Sequence, residues 1–537
     1  MAGRVAALAV AALVFHLVLV MPNHPRAVTV EALFLFPLEL PVILLALVVL
    51  RGWLVQGVQI ALVGALTLLT VVKLADLGTH LAYERPFDLA VDGHLIHAAW
   101  TLARGTFGTP LTVLIVIVAV IALIALALAI YWASECWVQL RVRGAVRALA
   151  AVALVPATAL AVLEAGHMLR GWALPVTPPG AAFTARVAVE TVERAQATGA
   201  ALEEFRAAAQ SDRMAAHDGP LLDAIGDRDV LLTYIESYGR SSFENPLYID
   251  THTGRLRDIE ATLNAEGLAM RSGWLTAPMV GGQSWLSHAS MASGMWVSDQ
   301  GRYRALIASP RRTLFHFAQD AGFDTAVVMP AHTRDWPEGD YFGFDAIFNA
   351  ADMGYAGENY NWVTMPDQFS LKALDRLVRT PAEAPAFAQI ALVSSHAPFL
   401  PVPPLIDWDE IGDGTVFNEW ADDGDPPEEV WRDRDRVREK FRIAVDYSLE
   451  VVGSYAERHA DDPPLMIVLG DHEPARFIAG VDGYDVPVHI IGPPDLVARI
   501  DDWGYSAGMV PEADAPVWRM SEFRDAFLRA FSADAPE

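Results

Sequence analysis

Asp229-Val230-Leu231-Leu232-Thr233-Tyr234-Ile235-Glu236 is an apolar run of strand length that ends on a carboxylate. Two later runs close the same way: 465–470 delivers Asp471 and His472, and 388–395 delivers His396. Further runs at 325–329 and 487–491 alternate with amphipathic stretches at 254–267, 310–321 and 435–457. Strands alternating with helices predict a mostly parallel sheet with helices on both faces. In such sheets ligands gather beyond the carboxyl ends of the strands, which places Glu236, His396, Asp471 and His472 on one rim.

A carboxylate directly after a buried strand is costly unless it is paired or metal-bound. Each of the four residues alone reads equally well as a strand-end cap, but four on one rim favour a ligand set. Mixed oxygen and nitrogen donors fit one divalent ion, manganese or zinc, better than calcium. The nucleophile candidate lies in Gly281-Gly282-Gln283-Ser284-Trp285-Leu286-Ser287-His288. The two glycines permit a sharp turn, after which Ser284 opens a helix of small and apolar residues. A hydroxyl at a helix N-terminus is poised to meet phosphate; the plainer alternative is an N-cap. His489, in the late strand Val486–Ile491, is a further rim candidate, with a satisfied core histidine as its competitor.

Upstream of this α/β pattern the chain changes character. Residues 1–170 hold apolar segments at roughly 5–21, 33–50, 53–72, 111–133 and 146–165, each near the ~17–25 residues that a bilayer requires. They predict a five-helix transmembrane bundle. The Pro-rich stretch 171–180 ends it, and a connector helix over about 182–212 completes a linker region, 171–225, before a catalytic domain at 226–537. Arg4, Arg51, Arg141, Arg143 and Arg147 fall on one side of the bundle, and the 78–110 loop with Asp88 and Asp92 on the other. By the positive-inside rule the N-terminus is cytoplasmic and residues 171–537 lie outside, in the bacterial periplasm or at the outer face.

Residues 1–170 carry ten Lys or Arg against eight Asp or Glu, so of the chain's 39 basic and 66 acidic residues, 29 and 58 remain for 171–537. That acidic field argues against nucleic acid as a partner, while a bound cation can still draw an anionic group locally. The single cysteine, Cys136, forbids an intrachain disulfide.

Tyr234-Ile235-Glu236-Ser237, Gly282-Gln283-Ser284, Ser395-His396-Ala397-Pro398-Phe399 and Gly470-Asp471-His472 resemble the ordered motifs of the lipoteichoic acid synthase group of sulfatase-fold enzymes, which includes periplasmic glucan glycerophosphotransferases. The resemblance spans the chain, because membrane helices before an extracellular α/β domain of the alkaline-phosphatase type is also that family's plan. It implies that Glu236, Ser284, Asp471 and His472 hold one divalent metal, that Ser284 is the nucleophile, and that His396 contacts phosphate or assists the leaving group. His332, Arg334 and Trp336, in Pro330–Trp336, resemble a headgroup-binding stretch, and Met365-Pro366-Asp367 another landmark. The implied reaction moves a glycerophosphate-type headgroup from a phospholipid donor, through phospho-Ser284, to an extracytoplasmic glycan or other hydroxyl acceptor. Two departures stand out: Ser284 replaces the family's usual threonine, and the arginine expected just after Trp336 is missing.

Competing expectations are a phosphodiesterase or phosphatase using water, a sulfuric ester hydrolase, and a scaffold that has lost turnover. The sulfate reading lacks the Pro and Arg that formylglycine formation needs after Ser284. The phosphoethanolamine transferases that share this plan usually carry several disulfides. The complete ligand set speaks against the scaffold.

Overall fold

The computed structural model describes residues 2–83, 85–140, 142–174, 177–380 and 383–536, and separates into two compact units, Met1–Ala201 and Leu202–Glu537. Arg141, from the basic cluster, and Pro175 and Val176, from the linker, lie outside the described residues.

Among the described residues of the first unit, four helices are long and apolar enough to cross a membrane: Gly3–Val20, Trp53–Tyr83, Asp92–Val138 and Gly144–Arg170. The span expected at 33–50 is instead an 11-residue helix, Glu39–Val49, behind a separate 3-10 turn at Glu31–Phe34. Pro37 stands between the two and breaks the run. At ~1.5 Å per residue this helix covers about 16 Å, half of a bilayer's apolar core. The 111–133 span is one part of Leu95–Val138, which kinks at Gly108.

Polar groups inside this unit answer one another. The Lys73 ammonium donates to the Val18 and Leu19 carbonyls and to Thr184 Oγ1. Asp76 accepts from Asn23 and from the Phe87 N–H, Arg85 grips Asp92 through both guanidinium nitrogens at 2.6 Å, and Glu164 accepts the Ala182 N–H. These contacts knit the helix ends and loop to the chain that follows them.

Among the described residues the second unit is built on nine strands: β1 (Val230–Ile235), β2 (Ala269–Thr276), β3 (Asp324–Met329), β4 (Ala346–Asn349), β5 (Ala386–Leu392), β6 (Leu465–Gly470), β7 (Asp485–Gly492), β8 (Ser506–Ala507) and β9 (Val517–Arg519). Their order is β4-β3-β5-β1-β6-β7-β2-β8, with β9 beside β2. From β4 to β6 every pairing is parallel; β7 runs antiparallel to both its neighbours. Alternate side chains along β1 enter opposite cores. Leu231 and Ile235 pack toward Leu256 of helix Ile249–Ala265 and Val445 of helix Arg434–Arg458, whereas Leu232 and Tyr234 pack toward Leu286, Phe315 and Phe527. Both faces are therefore covered, as a parallel sheet requires. Ile235 is level with Leu392 of β5 and Gly470 of β6, so the chain leaves all three central strands at one height.

Candidate active site

The rim above β5, β1 and β6 gathers the residues named from the sequence. Ligand atoms of Glu236, Asp471 and His472 lie within 4.8 Å of one another. His472 Nε2 is 3.2 Å from Glu236 Oε1 and 3.8 Å from Asp471 Oδ2. Ser284 Oγ donates to Glu236 Oε2 at 3.3 Å. Asp471 and His472 are buried, at 2% and 1% exposure, so neither carboxylate nor imidazole is there for solubility.

Local backbone chemistry fixes each group. Asp471 Oδ1 accepts the N–H groups of Ser237 and His472, both at 2.8 Å, which orients the carboxylate and ties β1 to β6 above the sheet. Gly470 admits no side chain, because a Cβ would stand 1.7 Å from the Tyr238 carbonyl oxygen. Before Ser284 the chain turns through Gly282 at φ 141° and Gln283 at φ 69°, and helix Ser284–Ser293 begins. A non-glycine residue held in the left-handed region is strained, and a second one, Ser237 at φ 58°, follows Glu236 directly. The turn that carries His396 hangs on Asp367: its Oδ1 accepts the Val393 and Ser394 N–H groups, and its Oδ2 accepts the Ser448 hydroxyl. Ser395 Oγ completes the tie by donating to the Glu236 carbonyl.

The donor set fits a divalent cation. His472 Nδ1 lies 2.9 Å from the Glu473 carbonyl, to which it donates, so Nε2 is the ring nitrogen turned toward Glu236 and Asp471 and the one a cation would engage. The electrostatics call for positive charge at the same place. Burial pushes the Asp471 carboxyl up, and Glu236 beside it adds to the push. Burial also works upward on Glu236, but His472 outweighs it and holds that carboxyl well below its usual range. Burial works to lower the His472 imidazole, yet Asp471 and Glu236 together lift it well above an ordinary histidine.

Beside these groups opens a cavity of about 410 Å³, lined by Glu236, Ser284 and His396 on one side and by His332, Trp336 and Glu338 on the other. Arg334 is exposed and does not line it. Neither does His489. It lies inside β7, level with Val468, with Nε2 3.1 Å from the Tyr238 hydroxyl and Nδ1 2.8 Å from Ser272 Oγ. The rim rule misplaced it because β7 is antiparallel, and a mid-strand position in such a strand points to no rim.

Two neighbours escaped sequence reasoning. His288 lines the cavity one turn beyond Ser284, its ring 3.9 Å from that of Tyr234, with a buried Nε2 that has no hydrogen-bond partner. Burial holds its imidazole down at about 3. The spacing of four from Ser284, one helical face, was the available signal. Glu473 accepts both the N–H and the hydroxyl of Ser241, and nothing in its surroundings in sequence announced it.

Residues 249–495 match the family model described as Sulfatase, a range that contains Ser284, His396, Asp471 and His472 and begins just after Glu236. No curated protein matches the chain. Among solved structures it is similar to the lipooligosaccharide phosphoethanolamine transferase A of Neisseria meningitidis, at 13% identity and TM-score 0.45, covering 97% of this chain and 95% of that one. It is also similar to the phosphoglycerol transferase GacH of Streptococcus pyogenes, at 12% identity and TM-score 0.38, covering 63% and 81%. The lipoteichoic acid synthase LtaP of Listeria monocytogenes follows at 13% identity and TM-score 0.36, covering 62% and 79%. Residues 249–495, inside the second unit, match a sulfatase-type enzyme domain.

Proposed function

We propose that this chain is a membrane-anchored phosphotransferase that moves a phospholipid headgroup phosphate, of the glycerophosphate kind implied by its motifs, to an extracytoplasmic hydroxyl through phospho-Ser284. The observation that carries the reading is Ser284 Oγ at a helix N-terminus, 3.3 Å from Glu236 Oε2, beside the buried Asp471 and His472. When bound by Glu236, Asp471, His472 and Ser284, a divalent ion, manganese or zinc, supplies positive charge that lowers the hydroxyl pKa and neutralises phosphoryl oxygens.

The chain's own groups then have defined tasks. Ser284 Oγ attacks phosphorus as its proton passes to Glu236 Oε2, and the bond from phosphorus to the diacylglycerol oxygen breaks. His396, at the exposed mouth, protonates that leaving oxygen. In the second half the acceptor hydroxyl attacks phosphorus, its proton goes to His396, and Ser284 Oγ leaves and regains its own proton from Glu236. The helix N-terminus at Ser284 favours the anion throughout.

In this reading residues 1–170 anchor the enzyme, 171–225 connect, and 226–537 act outside the cytoplasmic membrane of a bacterium. That sidedness requires a fifth crossing beside the four long helices, for which the 3-10 turn Glu31–Phe34 and helix Glu39–Val49 together are the candidate stretch.

The test is intact mass of the full chain after incubation with phosphatidylglycerol or phosphatidylethanolamine vesicles and Mn²⁺. An adduct of the headgroup phosphate, absent from Ser284→Ala, is the expected result. Lipid turnover without any adduct would favour the hydrolase, a second reading to which the solvent exposure of His396 gives weight.

A further inference from the structure

We propose that His288 is a catalytic residue whose Nε2–H donates to a non-bridging oxygen of the phosphoryl group as that group passes onto and off Ser284. This rests on the reading of Ser284 as the nucleophile, and adds a donor that the chain itself supplies to the transferring group.

His288 follows Ser284 by four residues on helix Ser284–Ser293, so both side chains stand on one face. Helical side chains lean toward the N-terminus, which carries the imidazole back toward the Ser284 hydroxyl. Its ring packs on Tyr234, with 3.9 Å between centroids and 38° between planes. Tyr234 lies on β1 two residues before Glu236, so the contact seats the ring one step down the strand from the carboxylate that takes the Ser284 proton. Nε2 is buried and, among the described residues, has no hydrogen-bond partner, while the residue lines the cavity together with Ser284 and Glu236. A buried polar atom without a partner is costly, and this one borders the space into which a partner can enter.

A transferring phosphoryl group spreads charge over three oxygens, and preorganised donors aimed at them supply much of the rate. No Lys or Arg is among the described residues that line the cavity, so the protein meets that charge with neutral donors. The other two histidines of the lining are engaged elsewhere. His396 serves the leaving and entering oxygens at the mouth, and His332 stands across the cavity with Nδ1 2.9 Å from Met329 Sδ. Burial holds the His288 imidazole at about 3, so at neutral pH it is an uncharged ring with one N–H. An ionised phosphoryl oxygen only accepts, and so selects the tautomer with that proton on Nε2. An uncharged ring also suits the place, because an imidazolium would repel a divalent cation held by Glu236. His288 keeps its proton throughout, and no covalent bond to it forms or breaks.

The experiment follows the full chain, in non-ionic detergent with Mn²⁺, through turnover of phosphatidylglycerol and through adduct formation by intact mass, for wild type, His288→Phe and His288→Gln. The phenyl ring keeps the packing on Tyr234 and removes the N–H, whereas the glutamine amide reaches the place of Nε2 and restores one. We expect His288→Phe to lower kcat and the rate of adduct formation about a hundredfold, the cost of one lost oxyanion donor, with KM, bound manganese and the thermal melt unchanged. His288→Gln should recover about tenfold of that loss. Wild-type activity in His288→Phe, no recovery in His288→Gln, a loss confined to KM, or loss of the ion would each overturn the proposal. Inorganic phosphate separates it from the reading it rests on: calorimetry with Mn²⁺ should show binding to His288→Phe about tenfold weaker than to wild type. That weakening, in a wild type that forms no adduct, would fell the covalent reading and leave the His288 contact standing. Equal phosphate affinities, or no phosphate binding at all, would overturn the contact itself.

Discussion

Ser284 and His472 make separable claims. Ser284→Ala should abolish turnover and any covalent adduct while leaving the bound ion, since the other three ligands remain; elemental analysis alongside intact mass checks both. His472→Ala should lose the ion itself, because it removes the one nitrogen donor from the cluster. At the same scale, two histidines remote from the rim set an acid limit. His252 and His489 are fully buried; burial holds the first at about 4 and the second at about 3, against about 6.5 when unfolded. Both folded values are depressed, so the stability they contribute is complete above about pH 6.5 and is lost as pH falls toward 3–4. Each should cost on the order of 3 kcal/mol by pH 4, and His489→Gln should flatten the stability–pH curve over that window. Denaturant melts between pH 7 and 4 give the answer. The four rim residues were legible because each follows an apolar run directly. His489 was misread because the sequence does not tell the direction of the strand holding it.

The elements that aim these side chains are turns. Gly282 stands at φ 141°, with open space where a Cβ would go, so Gly282→Ala meets no clash and suffers only backbone strain. We expect a loss of about 1–3 kcal/mol in unfolding free energy, with activity falling further because Ser284 is displaced. Asp367 is the opposite case, a buried carboxylate with three donors from two other elements. Asp367→Ala should cost on the order of 3 kcal/mol and lower kcat beyond what the folded fraction explains, since it frees the turn that carries His396. Circular dichroism melts paired with turnover separate the two effects. Legibility at this scale followed composition. Strands β1, β3, β5 and β6 are buried on both faces and read as continuous apolar runs, whereas β2 carries Arg271, Ser272 and Gly273 in its middle and gave no such signal. Four of the five expected spans coincide with helices long and apolar enough to cross a membrane, but their ends were misplaced: Trp53–Tyr83 and Leu95–Val138 run well past their apolar cores into polar sequence.

For the molecule as a whole, sidedness is the open quantity, and its one cysteine can report it. Cys136 lies near the end of Leu95–Val138, next to the basic loop that the charge rule assigns to the cytoplasm. A membrane-impermeant maleimide should label inverted vesicles and spare intact spheroplasts; the reverse pattern would put the catalytic unit inside. The plan of membrane helices before an α/β unit was plain from where apolar runs stop. The number of crossings was not, because Pro37 splits one run that hydropathy alone joins.

The order of the central strands has one more consequence, and it concerns time. His396, Glu236 and the pair Asp471-His472 ride on β5, β1 and β6, neighbours in space whose register joins Ile235 to Leu392 and Gly470 across long stretches of chain. No nascent fragment ending before residue 472 contains the full proposed ligand set. On the proposed reading a metal is therefore acquired late, after distant strands have met, and binding energy rewards only the finished sheet. The compartment in which residues 230–472 fold, and not the one in which they are synthesised, chooses the ion.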